Sequence, residues 1–370
     1  MTDADHKIKS LKDKGGRIIG CFPLYPPLEL FHSMGLTPVV LWGLRDFVKT
    51  SATADRHLQS YACSVARHLV EFVLSDQGRF LDGLFMYNAC DTLRNLPEIL
   101  NCGLGDNGRA LPIFKTHIPM TPPKQTSAAG YLNARILALI MELEETYGVV
   151  FSPARFRHSV ALYREARSLC KELEILVAKG SLSYGRFSQI NHAGYFSTVE
   201  DHIKLLKKVL NEDSLSHTKT SPSAVPVIIS GILPPPPGLI VALEDAGFRV
   251  AANDIASERR SYDYAPDTAD NPCSYYADFY FNHFPCPTLL YSADKRIAMI
   301  KKLAADSGAR GFVFIGEKFC EDEYFEIPHL ERILKETGVA ILPLEISIED
   351  DANNKAYVTR LEAFHEMLRG

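Results

Sequence analysis

The sequence contains none of the short motifs that identify a catalytic or metal site by spacing alone. No two of its cysteines stand in a C-x-x-C pair, which excludes a zinc ribbon, a thioredoxin-type redox pair and a bacterial ferredoxin run. It has no H-E-x-x-H pair and no G-x-x-x-x-G-K-[ST] run, so a zincin helix and a Walker-type ATP site are excluded as well. If several cysteines bind one metal centre, the fold must assemble that site from distant segments.

Long apolar runs and a strong charge imbalance are also missing. No stretch approaches 18 uninterrupted apolar residues, and residues 1–14 are too polar for a secretory signal. The 45 acidic and 40 basic side chains give a formal net charge of -5, which excludes a polybasic nucleic-acid binder and gives no reason to expect an anionic membrane partner. A length of 370 residues with 46% hydrophobic residues suffices for two to three domains. We expect a globular cytoplasmic protein.

The number of cysteines is unusual for such a chain. The eight cysteines stand at positions 21, 63, 90, 102, 170, 273, 286 and 320. A cytosolic chain rarely keeps cysteines as disulfides, so they serve as buried thiols, as nucleophiles or as metal ligands. Spacing alone does not separate these three uses.

The apolar pattern predicts an α/β fold with two doubly wound parallel-sheet (Rossmann-like) domains. Runs with the length and the β-branched or aromatic content of buried parallel strands alternate with segments of helical spacing. The predicted strands are 17–22, 37–41, 81–87 and 111–118 in the first part, and 225–232, 248–255, 311–315 and 339–346 in the second.

A helical segment separates the two predicted α/β domains. Apolar residues recur at helical spacing from Ser127 to Leu210, and the polar stretch from Asn211 to Pro222 is typical of a linker. The predicted boundaries are residues 1–125 for the N-terminal α/β domain, 126–222 for the helical segment and linker, and 223–370 for the C-terminal α/β domain.

Cysteines follow predicted strands in both α/β domains. Cys90 follows the strand 81–87 and Cys320 follows the strand 311–315, each before a predicted helix. Parallel sheets bind ligands beyond the carboxyl ends of their strands, and a helix N-terminus favours the thiolate that metal binding or nucleophilic attack requires. Cys63 lies near the start of the helix that leads into the first of these strands. The alternative is that all three are small buried residues.

Two further segments follow strands of the second half. Arg259 and Arg260 follow the strand 248–255 and are suited to pair with an anionic group such as a CoA phosphate, although a solvated charge cluster is an equal alternative. The segment 230–237 stands where a phosphate loop can occur, but it lacks the dinucleotide fingerprint and is predicted to be a rigid turn.

Several segments have a recognisable order and spacing over nearly the whole chain. They are Pro26-Pro27-Leu28-Glu29-Leu30, Gly35-Leu36-Thr37-Pro38, Cys63, Cys90-Asp91-Thr92, Asn253-Asp254-Ile255, Arg260, Lys318-Phe319-Cys320 and Thr359-Arg360-Leu361-Glu362-Ala363-Phe364. In these segments the chain resembles the subunits of the 2-hydroxyacyl-CoA dehydratase and benzoyl-CoA reductase family. The segments that begin at Cys63 and Cys90 are more similar to the smaller benzoyl-CoA reductase subunits. Glu258 departs from the family pattern, because many members have glycine there.

The resemblance implies a 4Fe-4S cluster held by cysteine thiolates in the cleft between the two α/β domains. Carried over by position, Cys63, Cys90 and Cys320 are the ligands. Thiolate ligation is the ordinary chemistry of such clusters. The fourth iron position is open to substrate or solvent, or it is taken by Cys21, for which an ordinary buried thiol is the alternative. The remaining cysteines are predicted to be structural: Cys102, Cys170, Cys273 and Cys286.

The resemblance also implies partners and a reaction class. A related second subunit, an ATP-hydrolysing iron-sulfur activator and a ferredoxin-type donor upstream would together deliver a low-potential electron to an acyl-CoA or aroyl-CoA substrate. Benzoyl-CoA reductases reduce the aromatic ring, whereas the dehydratases form a thioester ketyl that expels the hydroxyl group. The protein would ligate, bury and tune the cluster and orient the thioester, with Arg260 as a candidate substrate contact.

The leading prediction is an iron-sulfur subunit of a benzoyl-CoA reductase-type enzyme. A 2-hydroxyacyl-CoA dehydratase subunit and a double-cubane cluster reductase are alternatives within the family. The alternative from a different class of protein is a metal-free protein that binds or scaffolds CoA esters. Iron content per chain and the identity of the product distinguish these four cases.

Overall fold

The structure is a computed structural model that describes residues 3–121, 126–212, 223–267, 270–289, 293–348 and 354–370. Except for its first two residues, the predicted linker 211–222 lies outside the described residues. Among the described helices, none combines the length and the apolarity that crossing a bilayer requires.

Eight strands form two parallel sheets. The strands are β1 (Arg17–Phe22), β2 (Leu36–Val40), β3 (Gly83–Tyr87), β4 (Ile113–Thr116), β5 (Val225–Gly231), β6 (Phe248–Ile255), β7 (Gly311–Glu317) and β8 (Ala340–Ile346). The strand orders are β2-β1-β3-β4 and β6-β5-β7-β8, and every pair is parallel. The predicted α/β fold class and all eight predicted strands are confirmed, with shifts of a few residues at their ends.

Helices connect the parallel strands and complete the fold. They are α1 (Asp3–Asp13), α2 (Leu28–Ser33), α3 (Ser64–Leu74), α4 (Asp91–Arg94), α5 (Leu96–Asp106), α6 (Thr126–Tyr147), α7 (Pro153–Ala178), α8 (Tyr184–Ala193), α9 (Val199–Leu210), α10 (Pro237–Asp245), α11 (Arg259–Tyr262), α12 (Pro272–Asn282), α13 (Ala293–Ser307), α14 (Glu321–Tyr324), α15 (Ile327–Thr337) and α16 (Asn354–Arg369). The helix α12 has no counterpart in the sequence-based prediction, because its run of aromatic residues obscures the helical period.

The strands at the centre of each sheet are buried along nearly their whole length. Every residue of β3 and β7 is buried, and β1 is buried except for its first residue. Helices on both faces of a parallel sheet remove the alternation of apolar and polar residues, which is why these strands occur in the sequence as continuous apolar runs.

The chain packs as two compact units, each with one of the sheets. The first unit consists of residues 1–166, 193–202 and 264–291 and contains β1 to β4, and the second consists of residues 167–192, 203–263 and 292–370 and contains β5 to β8. Residues of the predicted helical segment 126–222 occur in both units. The predicted domain boundaries stay a prediction.

Candidate functional site

Cys90 and Cys320 occupy equivalent places in the two sheets. Each follows the third strand of its sheet in chain order, three residues after the last residue of β3 and of β7. Each is also the N-cap residue of a four-residue helix, α4 or α14. Since both sheets have the strand order 2-1-3-4, both cysteines lie at the carboxyl edge beside the point where the strand order reverses. This is the edge where open α/β sheets bind their ligands.

Cys63 caps a longer helix of the first unit. It is the N-cap residue of α3, and the amides of Ala66 and Arg67 donate to its carbonyl oxygen at 3.1 and 3.2 Å. The helix therefore begins at Ser64, in agreement with the predicted position of Cys63 near a helix start. Next to it, the Arg67 guanidinium donates to Asp55 Oδ1 at 2.6 Å, which ties the first turn of α3 to the preceding segment.

Burial separates the predicted ligands from the other cysteines. All eight lie within the described residues, and none forms a disulfide. The three predicted ligands are partly exposed, whereas Cys102 is exposed and the remaining four are buried: Cys21, Cys170, Cys273 and Cys286. A thiol that binds a cluster must be accessible to iron and still be shielded from bulk solvent, so partial exposure fits the predicted role.

Cys21 has the environment of an ordinary buried thiol. It lies on β1 with no exposed surface, between Val40 of β2 and Phe85 of β3. Its sulfur is directed to the carbonyl oxygen of Ile19 at 3.7 Å, and burial raises the pKa of this thiol well above its usual value. A fourth-ligand role for Cys21 stays a prediction, and the burial favours the alternative of a packing residue.

The predicted ligand set is not a preformed metal site. Over the described residues, no group of three or more His, Cys, Asp and Glu side chains is arranged to hold a metal ion. Cys63 and Cys90 belong to the first unit and Cys320 belongs to the second. The donor set nevertheless fits an iron-sulfur cluster in its chemistry, because its three sulfurs are outside disulfides and partly exposed.

A buried network of charged side chains lies at the carboxyl edge of the C-terminal sheet, and we call it the Asp254 network. Asp254, at the end of β6, accepts hydrogen bonds from Ser230 Oγ (2.7 Å), from Arg260 Nε and Nη2 (3.1 and 2.7 Å) and from Arg296 Nη1 and Nη2 (2.7 and 2.6 Å). Arg296 Nε also donates to Glu326 Oε1 at 2.9 Å. Both arginine residues are only 1% exposed. The two arginines hold the pKa of Asp254 well below its usual range despite its burial.

Comparison with known proteins identifies the family. Residues 23–368 match the family model described as 2-hydroxyglutaryl-CoA dehydratase, D-component. This chain belongs to that dehydratase family. It is 26% identical to the (R)-phenyllactyl-CoA dehydratase beta subunit of Clostridium sporogenes, over 98% of this chain and 94% of the relative. It is likewise 26% identical to the beta subunit of (R)-2-hydroxyglutaryl-CoA dehydratase from Acidaminococcus fermentans, over 96% of this chain and 94% of the relative.

A benzoyl-CoA reductase is also represented among the relatives. The chain is 26% identical to one subunit of the benzoyl-CoA reductase of Thauera aromatica, over 88% of this chain and 84% of the relative. The predicted resemblance to the dehydratase and benzoyl-CoA reductase family is therefore confirmed, and the relatives are subunits of enzymes. Two of these three relatives carry dehydratase names, so the expected preference for benzoyl-CoA reductase is not borne out by the names of the matches.

In this dehydratase-family chain, Arg260 lies inside the Asp254 network. Its guanidinium binds Asp254 and also donates to Ser230 Oγ at 3.3 Å. The alternative of a solvated charge cluster does not hold for Arg260, because the residue is buried. Contact between Arg260 and a CoA phosphate stays a prediction, and this geometry supports an internal structural role.

Glu258 is a buried carboxyl group that the sequence analysis noted only as a departure from the family pattern. It follows β6, is 1% exposed, and accepts a hydrogen bond from Tyr184 Oη at 2.9 Å through Oε2. Within the described residues, its Oε1 has no hydrogen-bond partner. Burial raises the pKa of Glu258 to about 8, so the side chain is mostly protonated at neutral pH.

Uncharged polar groups surround Tyr87, three residues before Cys90 in the first unit, and sequence patterns did not indicate them. Tyr87 Oη donates to the carbonyl oxygen of Thr288 at 3.2 Å, and Tyr25 Oη donates to Cys286 Sγ at 3.2 Å. Burial, together with nearby groups that include Cys286 and Cys90, raises the pKa of Tyr87 well above its usual value. A neutral tyrosine therefore lies close to the predicted ligand Cys90.

One cluster has the residue types of a catalytic triad, but its serine is not accessible to a substrate. His32 Nδ1 lies 2.7 Å from Ser159 Oγ, and His32 Nε2 lies 3.0 Å from Glu200 Oε1. Ser159 is 1% exposed, and its hydroxyl also donates to the carbonyl oxygen of Arg155 in its own helix at 3.0 Å. A nucleophile must reach its substrate, so we assign this serine to packing.

Proposed function

We propose that this chain is the cluster-binding subunit of an enzyme of the (R)-2-hydroxyacyl-CoA dehydratase type. The observation that carries the proposal is the equivalent placement of Cys90 and Cys320, each three residues beyond the third strand of its sheet, in a chain of this family. Two thiols at the ligand-binding edges of two sheets are hard to explain by packing alone, since packing does not require matching positions.

Three residues would hold the cluster: Cys63, Cys90 and Cys320. A bound 4Fe-4S cluster would supply single electrons of low potential to a CoA thioester. The part of the chain is to hold the sulfurs at fixed places, to limit access of water and to keep neutral groups such as Tyr87 near them. Cys21 is the proposed fourth ligand only if β1 opens enough to expose its sulfur, because that residue has no exposed surface.

Dehydration is the reaction that the relatives favour. The two dehydratase subunits align over at least 96% of this chain, whereas the benzoyl-CoA reductase subunit aligns over 88%. Aromatic ring reduction is the second candidate, because the segments at Cys63 and Cys90 are similar to the smaller benzoyl-CoA reductase subunits. A double-cubane cluster reductase would need more iron per chain than three thiols hold in one 4Fe-4S cluster.

The proposed assembly contains more than this chain. The dehydratase relatives are named as beta subunits and the benzoyl-CoA reductase relative is also named as a subunit, so we propose a hetero-oligomer with a related second subunit. An ATP-hydrolysing iron-sulfur activator and a ferredoxin-type donor upstream would supply the electron. Eight thiols without a disulfide are typical of a reducing compartment, which favours the cytoplasm.

Anaerobic reconstitution tests the proposal. The chain would be purified with its partner subunit under nitrogen and supplied with activator, ATP and reductant, together with a 2-hydroxyacyl-CoA or benzoyl-CoA. Formation of a 2-enoyl-CoA supports dehydration, whereas a cyclic diene from benzoyl-CoA moves the assignment to ring reduction. A colourless protein without iron that still binds CoA esters would favour the scaffolding alternative over the enzyme.

A further inference from the structure

The Asp254 network reaches the segment that carries Cys320. Glu326 is the N-cap residue of α15 and lies six residues after Cys320, with α14 between them. Arg296, on α13, holds both carboxylate oxygens of Asp254 and donates through Nε to Glu326 Oε1 at 2.9 Å. One guanidinium therefore connects the end of β6 to the C-terminal side of the Cys320 segment.

The N-terminal side of the same segment is attached to β7. The Cys320 amide donates to the carbonyl oxygen of Glu317 at 2.9 Å, and the Glu317 amide donates to Glu323 Oε2 at 2.9 Å. The amide of Glu323 in turn donates to the Cys320 carbonyl oxygen at 3.2 Å. The segment from Cys320 to Glu326 is thus held at both ends, by β7 and by Arg296.

The charges of the Asp254 network balance. The carboxylates of Asp254 and Glu326 face the guanidinium groups of Arg260 and Arg296, and all four residues are at most 5% exposed. A balanced buried network adds little net field at the neighbouring thiol, whereas its bidentate hydrogen bonds restrict geometry strongly. Its effect on Cys320 is therefore one of position.

We propose that Arg296 and Glu326 are positioning residues that hold the Cys320 segment in the geometry required for cluster binding. This inference rests on the proposed function, because it assumes that Cys320 is a cluster ligand. In this role Arg296 acts through Glu326 and α14.

Matched variants isolate the contact. Glu326→Ala removes the carboxylate that Arg296 holds on α15, and Glu326→Gln keeps an oxygen acceptor at the same place. Glu336→Ala is the control, because Glu336 also lies on α15 and pairs with Lys301 of α13, at 3.1 Å, but both side chains are exposed. A fourth variant, Arg296→Lys, keeps the positive charge and removes the planar guanidinium group that forms paired hydrogen bonds.

The first measurement uses iron-free protein and needs no enzyme activity. Iodoacetamide labelling followed by peptide mass spectrometry gives the alkylation rate of each cysteine. In Glu326→Ala we expect the rate at Cys320 to rise about ten-fold, which corresponds to about 1.4 kcal/mol of local opening. The rates at Cys63 and Cys90 stay unchanged in the same sample, and Glu326→Gln and Glu336→Ala behave as the wild type.

The second measurement uses the anaerobic holoprotein. We expect Glu326→Ala and Arg296→Lys to bind less iron per chain and to show an altered electron paramagnetic resonance spectrum after reduction, with recovery in Glu326→Gln. An unchanged Cys320 rate in Glu326→Ala overturns the inference, and so does an equal rise at all three cysteines, which means a global loss of stability. A selective change in the alkylation rate of Cys320, with a normal iron content and a normal spectrum, overturns the proposed link between this positioning and cluster binding.

The two proposals fail in different ways. Wild-type protein without iron overturns the proposed function, because no cluster is then present. The alkylation of iron-free protein still decides whether the Asp254 network positions Cys320.

Discussion

At the scale of single residues, exposure and chain position distinguish the thiols better than residue type does. Cys90 and Cys320 are partly exposed at the carboxyl edges of their sheets, whereas Cys21 lies within β1 with no exposed surface. Desolvation disfavours a thiolate, so a thiol enclosed in a sheet is a poor ligand. The proposed ligands and the buried thiols therefore differ in their access to iron.

Replacing the predicted ligands one at a time tests this distinction. We expect Cys90→Ser and Cys320→Ser to lose most of the iron of the anaerobically purified protein, since serine is a far poorer ligand for iron-sulfur clusters than a thiolate. Cys102→Ser, on the exposed side of α5, is the matched control and should retain the wild-type iron content. Iron and sulfide determination per chain measures the effect. Full iron content in both ligand variants would disprove the assignment.

Glu258 predicts an unusual pH dependence of stability. Its pKa of about 8 in the folded protein exceeds the value of about 4.5 in the unfolded chain, so the folded state binds the additional proton between these values. Its contribution to stability is fully present below about pH 4.5 and is lost as the pH rises towards 8. We expect Glu258→Gln to be close to the wild type at pH 5 and to exceed it by about 4 kcal/mol at pH 9.

Urea denaturation at pH 5, 7 and 9 measures this difference in the free energy of unfolding. The control is Glu331→Gln on the exposed side of α15, which should leave the pH dependence unchanged. Parallel stability curves for the wild type and Glu258→Gln would show that the Glu258 carboxyl titrates normally.

At the scale of elements, the short helix α2 depends on an aromatic helix far along the chain. Its N-cap residue Pro27 makes no side-chain capping hydrogen bond. Instead, the Leu30 amide donates to Tyr276 Oη at 3.0 Å, and this hydroxyl donates to Glu29 Oε2 at 3.1 Å. The helix α12 that supplies Tyr276 begins with a good cap, because Asn271 Oδ1 accepts from the Cys273 amide at 2.8 Å.

Removing the Tyr276 hydroxyl tests the dependence of α2 on α12. We expect Tyr276→Phe to lower the free energy of unfolding by about 1–3 kcal/mol, since the buried carboxylate of Glu29 loses a donor. Tyr131→Phe is the control in the same unit, because that side chain is 45% exposed. Chemical denaturation measures both, and equal stability of the two variants would contradict the role of the hydroxyl.

Some helices and strands can be predicted from local sequence patterns, and others cannot. The strands β1 to β8 are mostly apolar runs rich in β-branched and aromatic residues, so their number and approximate limits follow from sequence. The break at Asn95 between α4 and α5 was not predicted, because turns depend on local backbone geometry. The aromatic residues of α12 satisfy helical and strand patterns equally well, so only tertiary packing determines its helical state.

At the scale of the whole molecule, the predicted ligands belong to two compact units with the same strand order. Cys63 and Cys90 are in the first unit and Cys320 is in the second. The proposed cluster would stabilise only molecules in which the units that supply its thiols are folded. Its binding free energy would therefore add to the stability of both units.

Thermal unfolding under nitrogen tests this linkage. We expect the holoprotein to have a higher midpoint temperature than the iron-free protein, and expect Cys90→Ser and Cys320→Ser to remove that difference although they lie in different units. Cys102→Ser should keep it. A difference that persists in Cys320→Ser would show that the second unit contributes no ligand.

The sequence by itself determined the α/β class, the eight strands, the family and the positions of the candidate thiols, because each of these depends on local patterns or on the order of short segments. The tertiary structure decided what surrounds those residues. Arg260, predicted as a substrate contact beside a loop, is buried against Asp254, and Arg296 and Glu326, which no motif indicated, complete that network. Asp254, Arg296 and Glu326 come from segments far apart in sequence, and only the folded sheet brings them within hydrogen-bonding distance.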